Sequence, residues 1–364
     1  MSQSHQIPMA DPRLGEEEKA AVEAVLDSGM LAAGEAVAAF EAEFADYCDA
    51  AHAVATTNGT TALHAALEGL GIGAGDTVLT TPFTFVATAN AVRLAGADPL
   101  FADVDPSTYN LDPAAARETI AAHDGGIDAV LAVHLYGLPA ALDDLAAIAD
   151  AHDAPLVEDG AQAHGARHRG RPVGSVGDVG CFSFYPTKNM TTGEGGMIVT
   201  DDAGVAERVR SFIDHGRSGS RGHVRVGHNF RLPETAAAIG RVQLDRLPGY
   251  VERRREHASR LNEGLAGTDL VTPTEPSHLR HAYNQYTVRC EQREQLRDHL
   301  ADAGIDTAVY YPTPVHEESA YDGVDASAPV AEQAAREVLS LPVHPQLSAR
   351  DVDAVVDAVG SFEG

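Results

Sequence analysis

Residues 156–200 read LVEDGAQAHGARHRGRPVGSVGDVGCFSFYPTKNMTTGEGGMIVT. The apolar run Pro155-Leu156-Val157 ends in Glu158-Asp159. A carboxylate at the carboxyl end of a buried strand points into the crevice where α/β sheets bind ligands. Ser183 and Lys188 follow, ahead of Gly193-Glu194-Gly195-Gly196. The chain has only two lysines, Lys19 and Lys188; arginine supplies the other permanent positive charges. A guanidinium stays protonated, whereas a desolvated lysine amine loses its proton and attacks a carbonyl. A solvated surface lysine is the plain alternative. The scarcity of lysine and the glycine-flanked turn between two strand-like runs point instead to chemistry.

An acid, a hydroxyl and an amine in this order suit pyridoxal 5'-phosphate (PLP). Lysine holds the aldehyde as a Schiff base, the acid keeps the pyridine nitrogen protonated, and the hydroxyl binds phosphate. A second stretch fits the same group. The strand-like run His52–Thr56 leads into Asn58-Gly59-Thr60-Thr61, and a helix follows through Leu70. A strand, a glycine turn and a helix start offer free N–H groups to a phosphate. Many α/β turns share that pattern; Lys188 is what gives it weight here.

The spaced motifs EDxAQAxGA and GDxGCFSFxPTKxxxxGEGG resemble the sugar aminotransferases of the DegT/DnrJ/EryC1/StrS family, and the likeness runs from about Pro8 to about Val359. The resemblance implies the aspartate aminotransferase-like fold type I of PLP enzymes, an α/β class with a mostly parallel sheet. It assigns Lys188 and Asp159 to catalysis, and Gly59, Thr60, Phe85, Gln162, Ser183 and Asn229 to the cofactor alongside them. Phe85, favoured over Phe83, would lie flat on the ring. Gln162 would sit beside the ring hydroxyl. Asn229 would reach the cofactor phosphate of a neighbouring subunit, which implies a homodimer with shared active sites. Arg231, Tyr311 and His316 fall on the substrate side, with a structural salt bridge the alternative for Arg231. The implied reaction moves an amino group from L-glutamate, leaving 2-oxoglutarate, to a nucleotide-linked keto sugar carried on UDP or dTDP. Related members imply two rivals, a keto-cyclitol aminotransferase and a sugar dehydratase with histidine in place of the lysine; a regulatory or binding protein that keeps the fold without turnover is a third, of another class.

Composition narrows the class. The 364 residues are enough for two domains, expected at 1–247 and 248–364 because the pattern changes near Pro248. Asp and Glu number 54 against 26 Lys and Arg, a net charge of −28, which argues against a nucleic-acid partner. High acidity with little lysine fits a salt-rich cytoplasm, where molar salt screens charge over roughly 3 Å. Cys48, Cys181 and Cys290 lack metal spacing and read as free thiols. No apolar run reaches the ~18 residues of a membrane span, and Met1–Gln6 is too polar for a signal peptide.

Periodicity predicts helices over 16–28, 36–47, 113–122, 141–152, 203–213, 233–247, 293–303 and 348–359. Strands are expected at 77–81, 99–104, 129–134, 284–290, 307–311 and 339–344. The alternation implies a mostly parallel sheet covered on both faces. His134 is expected to be a satisfied core histidine or a crevice residue. His164 and His168 have the i, i+4 spacing of a metal pair, but Gly165 and Gly170 argue against a helix, so no metal is expected. Arg253-Arg254-Arg255 is expected to form a solvated face.

Overall fold

The computed structural model describes residues 6–324 and 326–362; of the polar start Met1–Gln6, residues 1–5 lie outside the described residues. Strands β1 (His52–Thr56), β2 (Thr77–Thr80), β3 (Asp98–Phe101), β4 (Ala129–Val133) and β5 (Leu156–Asp159) come first. Two short strands follow, β6 (Arg167–His168) and β7 (Arg171–Pro172), then β8 (Val179–Ser183) and β9 (Gly196–Thr200). The central sheet has seven strands in the order β1-β9-β8-β5-β4-β2-β3. From β8 through β5, β4 and β2 to β3 every pairing is parallel. Strand β9 is antiparallel to both β8 and β1, so β1 and β8 run the same way. Thr56, Asp159 and Ser183 therefore finish at one edge of the sheet, the edge where parallel α/β sheets bind ligands.

Every residue of β4, β5, β8 and β9 is buried, as a sheet covered on both faces requires. Leu63, Leu67, Val92, Val209 and Phe212 cover one face from the helices Gly59–Leu70, Ala87–Ala95 and Ala203–Ile213. Phe40 and Phe44, from the helix Glu35–Cys48, meet Phe182 and Phe184 on the other face, joined by Leu244 and Leu247. Burying each such side chain contributes about 2 kcal/mol. The first helix, Glu16–Ser28, ends where expected, at Gly29 with φ 71°, a left-handed conformation that favours glycine.

Strand β10 (Leu279–Arg280) pairs with β6. Farther on, β11 (Tyr286–Arg289) and β12 (Val338–Leu341) form an antiparallel pair against the helices Arg293–Asp302 and Ala349–Gly360. Their shared core holds Tyr286, Val288, Leu296, Leu300, Leu341 and Val355.

Three local expectations change. Residues 307–311 form no strand: only Ala308 bridges Ser340, and the two tyrosines leave that edge for Tyr136 and Phe85. The helix Glu234–Leu265 does not stop at Leu247 but runs through Pro248. An interior proline costs about 3 kcal/mol, and the buried stripe Leu244, Leu247, Val251, Ala258 and Leu261 offsets it. That stripe also carries Arg254 inward, so of the three arginines only Arg253 is solvated, while Arg255 pairs with Glu275. Among the described residues no helix is long and apolar enough to cross a membrane.

Candidate active site

Two acids end β5 and face opposite ways, as strand geometry requires. Asp159 is 5 % exposed. Its Oδ2 accepts from Thr88 Oγ1 at 2.8 Å and its Oδ1 from the Ala161 N–H at 3.1 Å. The Thr88 hydroxyl lies 2.9 Å from Thr84 Oγ1, four residues earlier in the chain, so Thr84 in turn holds the hydroxyl that binds the carboxylate. Glu158 is fully buried and accepts from the N–H groups of Gly174, Val176 and Gly177 at 2.8, 2.8 and 2.7 Å. His134 lies 2.9 Å away through Nε2 and accepts from the Ala140 N–H at Nδ1, which puts its proton on Nε2. Burial pushes the Glu158 carboxyl up, but His134 and the backbone donors hold it below the ordinary range. Glu158 and His134 are thus a satisfied core pair that anchors the strand end carrying Asp159.

Lys188 sits in the loop between β8 and β9. Hydrogen bonds from Phe184 N to Gly195 O (2.8 Å), Lys188 N to Tyr185 O (2.9 Å) and Thr191 Oγ1 to Phe184 O (2.8 Å) close that loop. The residue is half-buried, but its amine lies deep. Desolvation pulls the amine from 10.5 down to about 8, against the opposing pull of the Asp159 charge. At neutral pH the amine is still mostly protonated, but its free-base fraction is far larger than an ordinary lysine's, and that is the form a nucleophilic amine needs. His164 lies beside it, fully buried, its ring 5.3 Å from Phe182 and 5.7 Å from Phe184. Burial and then the Lys188 charge lower its imidazole to about 3, so the ring is neutral. His168, in β6, lies 3.8 Å from Asp143.

The turn after β1 closes on the same edge. The Asn58 side chain caps the helix Gly59–Leu70 by accepting from the Thr61 N–H at 2.9 Å. The N–H groups of Gly59 and Thr60 have no partner within the helix. A Cβ on Gly59 would lie 2.7 Å from Ser183 Cβ, so Gly59 and Ser183 touch. Gly196 is needed for a similar reason: a Cβ there would lie 2.3 Å from Asn58 O.

Gln162 binds two sides of the crevice. Its Oε1 accepts from the Tyr136 N–H at 2.6 Å, and its Nε2 donates to the Tyr311 hydroxyl at 2.9 Å. The Tyr311 ring lies 5.8 Å from Phe85 with a 35° tilt. Burial raises the Tyr311 hydroxyl above its ordinary range, and the charge of Asp159 adds to the effect. Phe83 is fully buried while Phe85 is 52 % exposed, so Phe85 is the aromatic left free to meet a ligand.

The remaining candidates are placed differently. Asn229 is exposed and bridges Asp214. Arg231 is bound to Asp214 and so forms the salt bridge that was its alternative reading. His316 faces Glu332 Oε1 at 3.4 Å rather than the Gln162–Tyr311 pair. The motifs single out neither Thr88 nor Tyr136, and they offer His164 only as half of a metal pair. The Thr84/Thr88 spacing was visible, but nothing local tied it to Asp159, 71 residues away.

Comparison with known proteins gives this arrangement a context. The model of the DegT/DnrJ/EryC1/StrS aminotransferase family matches residues 12–360. A pleiotropic regulatory protein of Geobacillus stearothermophilus is 40 % identical over 93 % of this chain and 92 % of its own. The dTDP-3-amino-3,4,6-trideoxy-alpha-D-glucose transaminase of Streptomyces venezuelae is 41 % identical over 98 % of this chain and 96 % of its own. The crystal structure of S. venezuelae DesV in complex with a ketimine intermediate superimposes with a TM-score of 0.93 at 41 % identity, covering 97 % of each chain. The chain has the mixed α/β fold of the PLP-dependent sugar aminotransferases and belongs to the DegT/DnrJ/EryC1/StrS aminotransferase family.

Proposed function

We propose that the protein uses PLP to move an amino group from L-glutamate to a keto sugar linked to a nucleoside diphosphate. The observation that carries this reading is a buried Lys188 amine, depressed by desolvation, that still feels the charge of the buried Asp159 carboxylate. The donor set fits the cofactor: the Gly59–Ser183 contact leaves a close backbone cradle for phosphate, and Asp159 offers a fixed acid to a ring nitrogen. When bound, PLP supplies an aldehyde carbon and a pyridine ring that accepts electrons.

The chain's own groups do the rest. Gly59, Thr60 and Ser183 hold the phosphate. Asp159, fixed by Thr88, keeps a proton on the ring nitrogen. Phe85 covers the ring face, and Gln162, tied to Tyr311, sits beside the ring hydroxyl. Lys188 would hold the aldehyde and, once displaced by the amino donor, would be free to move a proton between the donor's α-carbon and the former aldehyde carbon, in the opposite direction in the reverse half-reaction. The exposed Asn229 is available to a second copy, which supports a homodimer with shared active sites. Tyr311 stays on the substrate side; Arg231 and His316 are held by Asp214 and Glu332 and would need to be released to join it. The smaller domain begins within the helix Glu234–Leu265, near residue 248. A net charge of −28 and three free cysteines suit a salt-rich, reducing cytoplasm.

Lys188 itself speaks against the dehydratase alternative. A non-catalytic regulator is the second reading that one relative's name favours. Incubating the enzyme with L-glutamate and a panel of UDP- and dTDP-keto sugars and keto-cyclitols decides among them by mass spectrometry. An amino sugar nucleotide and 2-oxoglutarate in equal amounts are expected. An aminated cyclitol, or no product from any acceptor, would refute the assignment.

A further inference from the structure

Arg254 is 6 % exposed on the inward stripe of the helix Glu234–Leu265. Its Nη1 donates to the carbonyls of Tyr283 and Asn284 at 3.1 and 3.2 Å, and its buried Nε has no partner. No carboxylate pairs with it among the described residues, although its neighbours on the same helix, Arg246 and Arg255, both have one. A buried charge is ordinarily paired, because leaving one alone is costly. Burial lowers the guanidinium to about 10, which still leaves it charged at neutral pH.

Arg254 lines a cavity of about 30 Å³ together with Lys188, Arg13, Gln243, Tyr250 and His344. That is room for roughly two water-sized groups. Arg13 is matched there by Asp11 at 2.8 Å, but Arg254 is not matched. The cavity is therefore a positive island in a chain of net charge −28. His344 donates through Nε2 to Pro8 O at 3.1 Å, which leaves Nδ1 an acceptor, buried and without a partner. Arg254 Nε and His344 Nδ1 are both sealed from a water-sized group, so an anion in the cavity would meet the guanidinium through its remaining accessible edge.

We propose that Arg254 and the cavity it shares with Lys188 form a binding site for a single monovalent anion, either a halide or one carboxylate group. The size excludes a phosphate with a sugar attached. The carboxylate arm, with the amino donor as its source, rests on the transamination reading; the halide arm stands without it.

The test is crystallography of the cofactor-loaded enzyme in sodium bromide, with and without saturating 2-oxoglutarate. An anomalous bromide peak within hydrogen-bond reach of Arg254 is expected, at least fivefold weaker in Arg254→Gln. If that variant does not fold, Arg254→Lys replaces it, and chloride-35 NMR of the wild type must show line broadening that the Arg254→Lys variant reduces several-fold. Loss of bromide, with a 2-oxoglutarate carboxylate on Arg254, names the donor as the natural ligand. Retained bromide, with 2-oxoglutarate elsewhere, names the halide. Water alone in the wild-type cavity under both conditions would overturn the site, whatever the enzyme's activity.

Discussion

Thr88, in the helix Ala87–Ala95, donates to Asp159 Oδ2 at 2.8 Å and so couples that helix to the end of β5. A hydrogen bond to a charged group contributes about 1.5–3 kcal/mol. Thr88→Val keeps the shape and removes the donor. It is expected to lower kcat/KM roughly 10- to 100-fold while the circular dichroism spectrum stays unchanged. An unchanged kcat/KM would mean that the orientation of Asp159 does not matter.

Lys188 gives a prediction about stability. Its amine titrates at about 8 in the fold and at 10.5 as a free side chain. Below pH 8 both states hold the proton and the buried charge opposes folding; from pH 8 to 10.5 the unfolded chain binds more protons, so stability rises with pH. The drop corresponds to roughly 3 kcal/mol. Cofactor-free Lys188→Met should therefore be inactive yet more stable than wild type by about that amount at pH 7, with the gap closing towards pH 10.5. Urea unfolding across that range checks it; a variant less stable at pH 7 would contradict the desolvated amine.

Much of this site could be read in the sequence because its parts lie where local rules are strict. The apolar run before Glu158-Asp159, the lone central lysine and the cap at Asn58 each follow from one element's own chemistry. Arg254 shows what was lost. Three adjacent arginines suggested a wet face, yet the spacing Leu247, Val251, Arg254, Ala258, Leu261, Leu265 is a continuous helical stripe with Arg254 on it. The stripe was legible; the run of charge hid it. The Gln162–Tyr311 hydrogen bond spans 149 residues and joins a turn to a segment that was expected to be a strand. Local pattern carries no information about such a contact.

Gly59 and Ser183 form a steric pair. Gly59→Ala places a Cβ 2.7 Å from Ser183 Cβ, which should destabilise by about 1–3 kcal/mol. Adding Ser183→Gly should restore most of that stability. Cofactor retention should stay weak in the double variant, because the phosphate has lost a hydroxyl. Thermal unfolding and cofactor release by dialysis separate the two effects. If the double variant retains cofactor normally, Ser183 is not a phosphate ligand.

Gln162 and Tyr311 should differ in severity. Tyr311→Phe loses one hydrogen bond and keeps the ring against Phe85, so a loss of about three- to tenfold in kcat/KM is expected. Gln162→Leu also strands the buried Tyr136 N–H, which adds about 1–3 kcal/mol of destabilisation. Comparing Tm and kcat/KM for the two variants checks that order.

The most direct test of the whole account uses the fact that the chain has two lysines. The enzyme is loaded with PLP, reduced with sodium borohydride, digested, and its lysine peptides are weighed. A phosphopyridoxyl group on Lys188 and none on Lys19 is the predicted result. An unmodified Lys188 in fully loaded protein would contradict it.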